Sequence, residues 1–549
     1  MLARQCSPRV NLIILTALFL TILLFTTQRL NTLPISSFSD ALSTITEPII
    51  GPETEPATET QNLRLQNPTE TTDAGPGQVQ EPQPEVSHPP PPETANFCAK
   101  DWDLLRRENL ALTEKIVYTR RCIRPVFGDT DRNVVANLTS PMLGSSAIIN
   151  IKSDDCFAVT PPPCEPLTLE VPNPYPDRRG RFGHLMFGVA SSFDRLKASL
   201  PEFAHWLSGT GAHLVLVVQD ADVVPGGADL AALAALFQAR DMSVTVKAPS
   251  IKRAVPRAGE DENTELASPP PVEQLHFLLI NDMLEVATVE TQWLGILDDD
   301  TFFPALHPIS QMLSNYDHRQ PHWLGALADS WASVKNWGYM AFGGAGTFLS
   351  MPLARELSPH LMSCLRETSI RTGDGMLKEC MYLHSSTRLT LVEGLHQHDI
   401  RGDVSGFFES GQKVLSLHHW KSWYRAPVVA MSAVTSVCGD CFLQRWRLGG
   451  DTLFVNGYSI SVYRDGLDKI DLSKMEGTWE GAGPDFAFAY GAFRPRLGEQ
   501  EKKSYRLVAT DAPPVRKGDG FRQLYVHRVR REKVQDEGMD EVVELIWEV

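Results

Sequence analysis

Three consecutive carboxylates, Asp298, Asp299 and Asp300, end an apolar stretch of this chain. Charges this close repel one another unless a cation shares them, and hard carboxylate oxygens suit Mg²⁺ or Mn²⁺. An ion held there can in turn hold the pyrophosphate of a nucleotide. Downstream come Asp374, set between Gly373 and Gly375, and the run His396-Gln397-His398-Asp399. Histidines two apart in extended chain face the same way, so both can reach one point. Imidazole beside carboxylate is a common transition-metal shell. Between them, Phe342-Gly343-Gly344-Ala345-Gly346-Thr347 can approach a ligand closely or turn at positive φ. It lacks the lysine and spacing of a P-loop. Each piece alone has a plainer reading: an acidic loop or a Ca²⁺ site, a polar pair, a packing turn, and a helix cap at Asp374.

Positioning such groups requires a sheet edge. The run Trp293-Leu294-Gly295-Ile296-Leu297 is too short for a usual helix and reads as a buried parallel strand ending at the acids. In open α/β sheets, ligands sit beyond the carboxyl ends of the strands. Apolar patterning predicts further strands over 185–190, 214–218, 243–246 and 323–327. It predicts helices over 195–207, 228–239, 273–286 and 309–316. Strands and helices alternating in this way specify a mostly parallel, doubly wound sheet. Residues 415–420 are expected to close the domain as a last strand, followed by Trp423 and Tyr424, whose rings could stack on sugars. Residues 102–117 have helical spacing, 249–271 resemble a mobile insertion, and short alternating runs after 437 predict a β-rich module. Cys438-Gly439-Asp440-Cys441 has no second pair and fits a local disulfide better than zinc.

The whole chain sets the context. Its 549 residues are 42% hydrophobic and 21% charged, enough for two or three domains with ordinary cores. A net charge of -16 argues against nucleic acid as a partner. Residues 10–27 are nearly all apolar, follow Arg4 and Arg9, and lack a small-residue cleavage site. They read as an uncleaved signal anchor with a cytosolic tail, 1–9. Residues 28–96, rich in Pro and Thr, cannot bury enough apolar surface to fold and suit a spacer. Next come a stem-proximal segment, 97–180, the α/β domain, 181–435, and the β-rich module, 436–549. Eight cysteines follow the anchor, an even number that suits an oxidising lumen. Asn137-Leu138-Thr139 is an N-glycosylation sequon.

With these pieces in order, residues 181–424 resemble the Fringe and β-1,3-galactosyltransferase family of inverting glycosyltransferases. The resemblance rests on Ser191-Ser192-Phe193-Asp194-Arg195 after the first strand and on Trp293 followed by Asp298-Asp299-Asp300-Thr301-Phe302. The glycine turn, the spacing from Asp374 to Cys380 and the late His-x-His also match. It implies a GT-A nucleotide-diphosphosugar transferase fold, a UDP-sugar donor, Mn²⁺ (or Mg²⁺) as cofactor, and a glycan or glycoprotein acceptor. It also implies type II topology in a Golgi or other secretory-pathway membrane. Carried over by position, Asp298 contacts the nucleotide ribose, Asp300 and His398 bind the metal, and Asp374 is the catalytic base. Asp299, Ser191, Arg195, Gly344 and Gly346 fall in the donor site. Many relatives carry Glu-Asp or Asp-Asp where this chain has Gly373-Asp374-Gly375. The alternative is a non-catalytic carbohydrate-binding relative that keeps the fold.

Overall fold

Seven short strands form the sheet that carries the acids. They are β1 (Leu185–Ser191), β2 (His213–Val218), β3 (Ser243–Lys247), β4 (Trp293–Leu297), β5 (Trp323–Gly325), β6 (Thr347–Ser350) and β7 (Leu389–Leu391). Their order across the sheet is β7-β5-β6-β4-β1-β2-β3. β1 pairs in parallel with both β2 and β4, β2 with β3, and β5 with β7. β6 runs antiparallel to β4 and β5. The molecule is thus mixed α/β with a largely parallel sheet. All residues of β1 and β4 are buried, as expected of strands covered on both faces. The computed structural model describes residues 104–152, 162–222, 227–260, 267–511, 520–529 and 538–548, all within the unit Pro90–Val549.

The helices predicted around this sheet lie where the apolar spacing puts them, with one break. Residues 195–207, read as one helix, form α1 (Phe193–Ala198) and α2 (Leu200–Leu207), with Pro201 in the first turn of α2. Proline has no N–H to continue a helix but is tolerated at a helix start. α3 (Leu230–Gln238) is capped by Asp229, which accepts the Ala232 N–H at 2.8 Å. α4 (Val272–Leu284) leads toward β4 and is buried along most of its length, and α5 (Trp331–Trp337) and α6 (Leu361–Glu367) follow.

A second, ten-stranded sheet joins segments far apart in sequence. The strand Lys115–Gly128 runs parallel to Asp540–Trp547 on one side. On the other it pairs with Ser146–Asn150 and Glu165–Pro172. The described part of residues 102–117, expected to be helical, holds no α-helix: a turn at 104–106 and the 3₁₀ turn Glu108–Leu110 precede the strand, which begins at Lys115. Leu104, Leu105 and Leu110 are instead buried in one apolar cluster with Ile116, Leu524 and Val542. The β-rich C-terminal part is therefore not built alone: strands from 115–172 and from 445–547 share one sheet. One apolar core runs from Phe187 and Trp206 through Tyr424 to Trp446 and Trp547.

Two further expectations change. Residues 415–420 do not form a strand, and Leu417 makes a single bridge to Phe302. The described part of the 249–271 insertion is tied down, since Gln274 hydrogen-bonds both the N–H and the C=O of Val255. Disulfides join Cys122 to Cys164, Cys364 to Cys380, and Cys438 to Cys441, the local pairing expected of that motif. No helix among the described residues is long and apolar enough to cross a membrane. The apolar stretch 10–27 lies outside them, as do the tail and the spacer.

Candidate active site

The acids emerge where the chain order of the sheet reverses, between β1 and β4. Ligands of open α/β sheets collect at that crevice. A tight turn fixes them: the Asp298 N–H donates to Thr301 Oγ1 at 3.1 Å, and that hydroxyl donates to the Gly344 carbonyl at 3.1 Å. Asp299 has partners of its own. Its carboxylate takes both the Ser191 hydroxyl and a two-pronged contact from Arg195. Asp298 and Asp300 share His418, whose Nε2 lies 3.3 Å from Asp298 Oδ2 and 3.0 Å from Asp300 Oδ1. On its other side Asp298 Oδ1 is 3.3 Å from His276 Nε2, on α4.

These pairings set the charges. Burial opposes a charge on His418, but hydrogen bonds to Asp298 and Asp300 outweigh it and hold the imidazole up to about 10. Asp298 is correspondingly held well below the usual carboxylate range: burial pushes it up, and His276 and His418 more than reverse this. Asp300 is lowered for the same reason, against burial and through His418. His419 is pushed down to about 3 by burial and by its charged neighbour His418. It therefore stays neutral, with a lone pair to offer.

Asp374 stands in the first turn of α7 (Gly373–His384). The cap of that helix is Thr372, whose hydroxyl accepts the Gly375 N–H at 3.2 Å. The Asp374 carboxylate instead reaches to the glycine turn and accepts the Gly343 N–H at 2.9 Å. Burial pushes its pKa up to about 6; His276 pulls the other way and the charge of Asp298 adds to the rise. A methyl group on Gly343 would come within 2.9 Å of Asp374 Oδ1 and 2.7 Å of His276 Nε2, so carboxylate and imidazole flank one spot.

Asp298–Asp300, Asp374, Ser191, Arg195 and the rings of His418 and Trp423 line a cavity of about 590 Å³. Gly344 and Gly346 are not among the residues lining it. Gly344 leaves room for His418, whose ring would lie 2.3 Å from an added Cβ. Gly346 turns at φ +95° over Leu297 and Phe348. Both glycines shape the site through protein packing, whereas the resemblance placed them against the donor. Trp423 stacks on His419 at 4.0 Å with Arg401 over its ring at 4.2 Å, while the Trp420 indole donates to the Asp300 carbonyl at 2.7 Å. Asn137, the sequon residue, is exposed in a short strand, Ala136–Leu138, of the second sheet.

The histidines that meet Asp300 are His418 and His419, not His398. One ligand atom from each of the three residues lies within 4.8 Å of the others. His398 is fully buried: its Nδ1 is 2.9 Å from the Tyr424 hydroxyl, and its ring stacks on His396. Burial and the neighbouring imidazoles hold its pKa far below the usual histidine range. Alternation in an extended chain sets adjacent residues on opposite faces, so His418-His419 read as a strand could not converge. His419 has φ +59°, however, and that turn brings the two rings to 3.7 Å. Nothing in the sequence distinguished His276 from an ordinary helix residue. The donor set of one carboxylate and two imidazoles fits a divalent transition ion such as Mn²⁺.

Residues 334–437 match a family model described as a protein of unknown function, DUF604, which takes in Asp374, His398, His418 and His419 but not the acid triplet. No curated protein matches the chain in sequence. Among solved structures the chain is similar to mouse xyloside xylosyltransferase 1 in its apo form, at 12% identity and TM-score 0.25, covering 44% of this chain and 93% of that one. It is similar to the glycosyltransferase GlyE of Streptococcus pneumoniae TIGR4, at 11% identity and TM-score 0.26, covering 46% and 60%. It is also similar to 4-diphosphocytidyl-2C-methyl-D-erythritol synthase from Anaerococcus prevotii DSM 20548, at 8% identity and TM-score 0.23, covering 39% and 89%. Superpositions this loose carry no argument, and the fold rests on the topology above.

Proposed function

We propose that the chain is a metal-dependent inverting glycosyltransferase of GT-A type, moving a sugar from a UDP-sugar to a hydroxyl of a glycan or glycoprotein. The observation that carries this reading is one cavity at the sheet's switch point with cation-binding groups on one side and a raised-pKa carboxylate on the other. Asp300, His418 and His419 would hold the ion, His418 giving up its proton as the metal takes that proton's place; a bound ion would neutralise charge on the departing nucleotide diphosphate. Asp298, braced by His276, is left to accept hydrogen bonds from the nucleotide. Asp299, held by Ser191 and Arg195 in the wall of the same cavity, anchors the turn.

Asp374 then serves as general base. It takes the proton of the acceptor hydroxyl while that oxygen attacks the anomeric carbon, and UDP leaves from the opposite face with the bonding electron pair. The sugar is inverted, so an α-linked donor gives a β-linked product. A pKa near 6 makes this carboxylate a stronger base than a solvated one, yet leaves it ionised at neutral pH. The deciding experiment is calorimetry of UDP with and without Mn²⁺, followed by transfer and donor-hydrolysis assays over a panel of UDP-sugars. Mn²⁺-dependent UDP binding with turnover supports the reading. Sugar binding with no turnover of any donor would make the chain a non-catalytic relative.

A further inference from the structure

One imidazole on α4 stands between the carboxylate left to the nucleotide and the carboxylate read as the base. His276 is buried and lines the same cavity as Asp298 and Asp374. Its Nε2 lies 3.3 Å from Asp298 Oδ1. The glycine turn sets its place beside Asp374 as well. A Cβ on Gly343 would lie 2.7 Å from His276 Nε2 and 2.9 Å from Asp374 Oδ1. Two atoms that close to one point fall within the range of about 4–6 Å over which one charge governs the ionisation of another. One ring therefore meets both carboxylates.

The surroundings leave space for that ring and for little else. Helix α4 packs against α7, whose first residue is Gly373. A Cβ on Gly373 would meet His276 Nδ1 at 2.5 Å and the Glu273 carbonyl at 3.1 Å. One edge of the imidazole is thus met by Gly343, in the turn before β6, and the other by Gly373, next to Asp374. A side chain at either position would press the ring away from Asp298 or Asp374.

Electrostatics gives the ring its task. Two carboxylates sharing a buried site raise one another's pKa unless a cation accompanies them. Burial opposes a charge on His276, but Asp298, Asp374 and Glu273 outweigh it and hold the imidazole above its ordinary pKa. The charged groups that bear on Asp374 are His276 from α4, Asp298 from the acid turn and His418 from beyond it. Burial and Asp298 push Asp374 up, and His276 is the strongest of the groups that oppose them.

We propose that His276 is a positioning residue for transfer, its imidazolium joining Asp298 to Asp374 so that both can carry charge in one buried site. This rests on the glycosyltransferase reading for the role of Asp374 as base, but the coupling of ring and carboxylate is measurable without turnover. His276→Gln keeps a hydrogen-bond donor and removes the charge. Melting temperatures of the full chain are compared for the parent, His276→Gln, Asp374→Asn and the double variant, at pH 7.5 and pH 5. Without the imidazolium, ionising Asp374 costs the folded state more, and that cost is present only above its folded pKa. At pH 7.5 Asp374→Asn should therefore raise the melting temperature of His276→Gln by more than it raises the parent's. At pH 5 Asp374 is protonated in either background, and its substitution should act equally in both. In transfer assays the acid limb, near 6 in the parent, should move up by about one unit or more in His276→Gln. Transfer should recover toward pH 9, and Mn²⁺·UDP affinity should fall by far less than transfer does at pH 7. Equal effects of Asp374→Asn in both backgrounds at pH 7.5, or an acid limb that stays near 6 while melting drops, would make His276 a packing residue and overturn the proposal. Should His276→Gln fail to fold alone, the double variant should fold, and its failure too would overturn the proposal. A parent chain without turnover of any UDP-sugar, in which the melting coupling persists, refutes the transferase reading and leaves the joining of ring and carboxylate standing.

Discussion

At the scale of single residues, Asp300 and His418 do one job and Asp374 another, and the two are separable. Asp300→Ala and His418→Ala each remove a proposed ligand, so both should lose Mn²⁺-dependent UDP binding by calorimetry while the sheet stays folded. His398→Ala should behave differently. That ring is packed among Phe407, Tyr424 and His396, so its loss should lower the melting temperature more than it weakens ion binding; normal melting with abolished Mn²⁺ binding would restore His398 as a ligand. Asp374 acts only as the acceptor attacks, so Asp374→Asn should keep donor affinity and lose transfer by roughly a hundredfold or more. The pH dependence has a definite sign. With a folded pKa near 6, the carboxylate is ionised above that value and protonated below it, so parent transfer should fall as pH drops through about 6. The same raised pKa means that ionisation costs folded-state stability as pH rises from the usual carboxylate range through 6. Asp374→Asn should therefore melt no lower than the parent at pH 7.5. A lower melting temperature with near-normal transfer would make Asp374 a structural group.

At the scale of elements, the glycine turn before β6 decides how the site closes. Gly343 gives its N–H to Asp374, and Gly344 leaves the space that His418 fills. Gly344→Ala drives a methyl group into that imidazole, where overpacking costs about 1–3 kcal/mol. The imidazole is the mobile partner, so His418 should be displaced from Asp298 and Asp300. The expected outcome is loss of Mn²⁺·UDP binding with a modest drop in melting temperature. Unchanged Mn²⁺ affinity would mean that the turn yields and the ring does not. Helix α7 is fixed separately, by the disulfide from Cys364 on the preceding helix, Leu361–Glu367, to Cys380 on α7 itself. That bond holds the helix whose first turn carries Asp374.

At the scale of the whole molecule, the second sheet ties the N-terminal strand Lys115–Gly128 to the C-terminal strand Asp540–Trp547. Buried Glu544, in the latter, binds Arg120 at 3.1 Å and Arg522 at 2.6 Å and also takes the Tyr118 hydroxyl. Removing one member of a buried charge network typically costs about 3–5 kcal/mol because it strands the opposite charges. Glu544→Ala should therefore lower the melting temperature and open both 115–172 and 445–547 to limited proteolysis together. Cleavage confined to one of the two segments would show that they fold independently.

What the sequence determined by itself was the local pattern. Apolar runs of the right length placed β1, β2, β3 and β4, and the abrupt change from Leu297 to Asp298 located the sheet edge where a ligand would sit. Glycine between apolar residues marked the turn that holds Asp374. Each of these signals lies within a few neighbouring residues, where periodicity and turn chemistry act. Contacts between distant segments decided the rest. His276 reaches Asp298 only because α4 packs beside β4, and His418 joins His419 at Asp300 only because the backbone turns at positive φ after a stretch that reads as a strand. Of the helical spacing at 102–117, only the last three residues became strand, with partners more than four hundred residues away at 540–547, and the leucines before them are buried beside that sheet outside any α-helix. A sequence pattern records which faces a segment would bury, but the partner that buries them is fixed only when the chain has closed on itself.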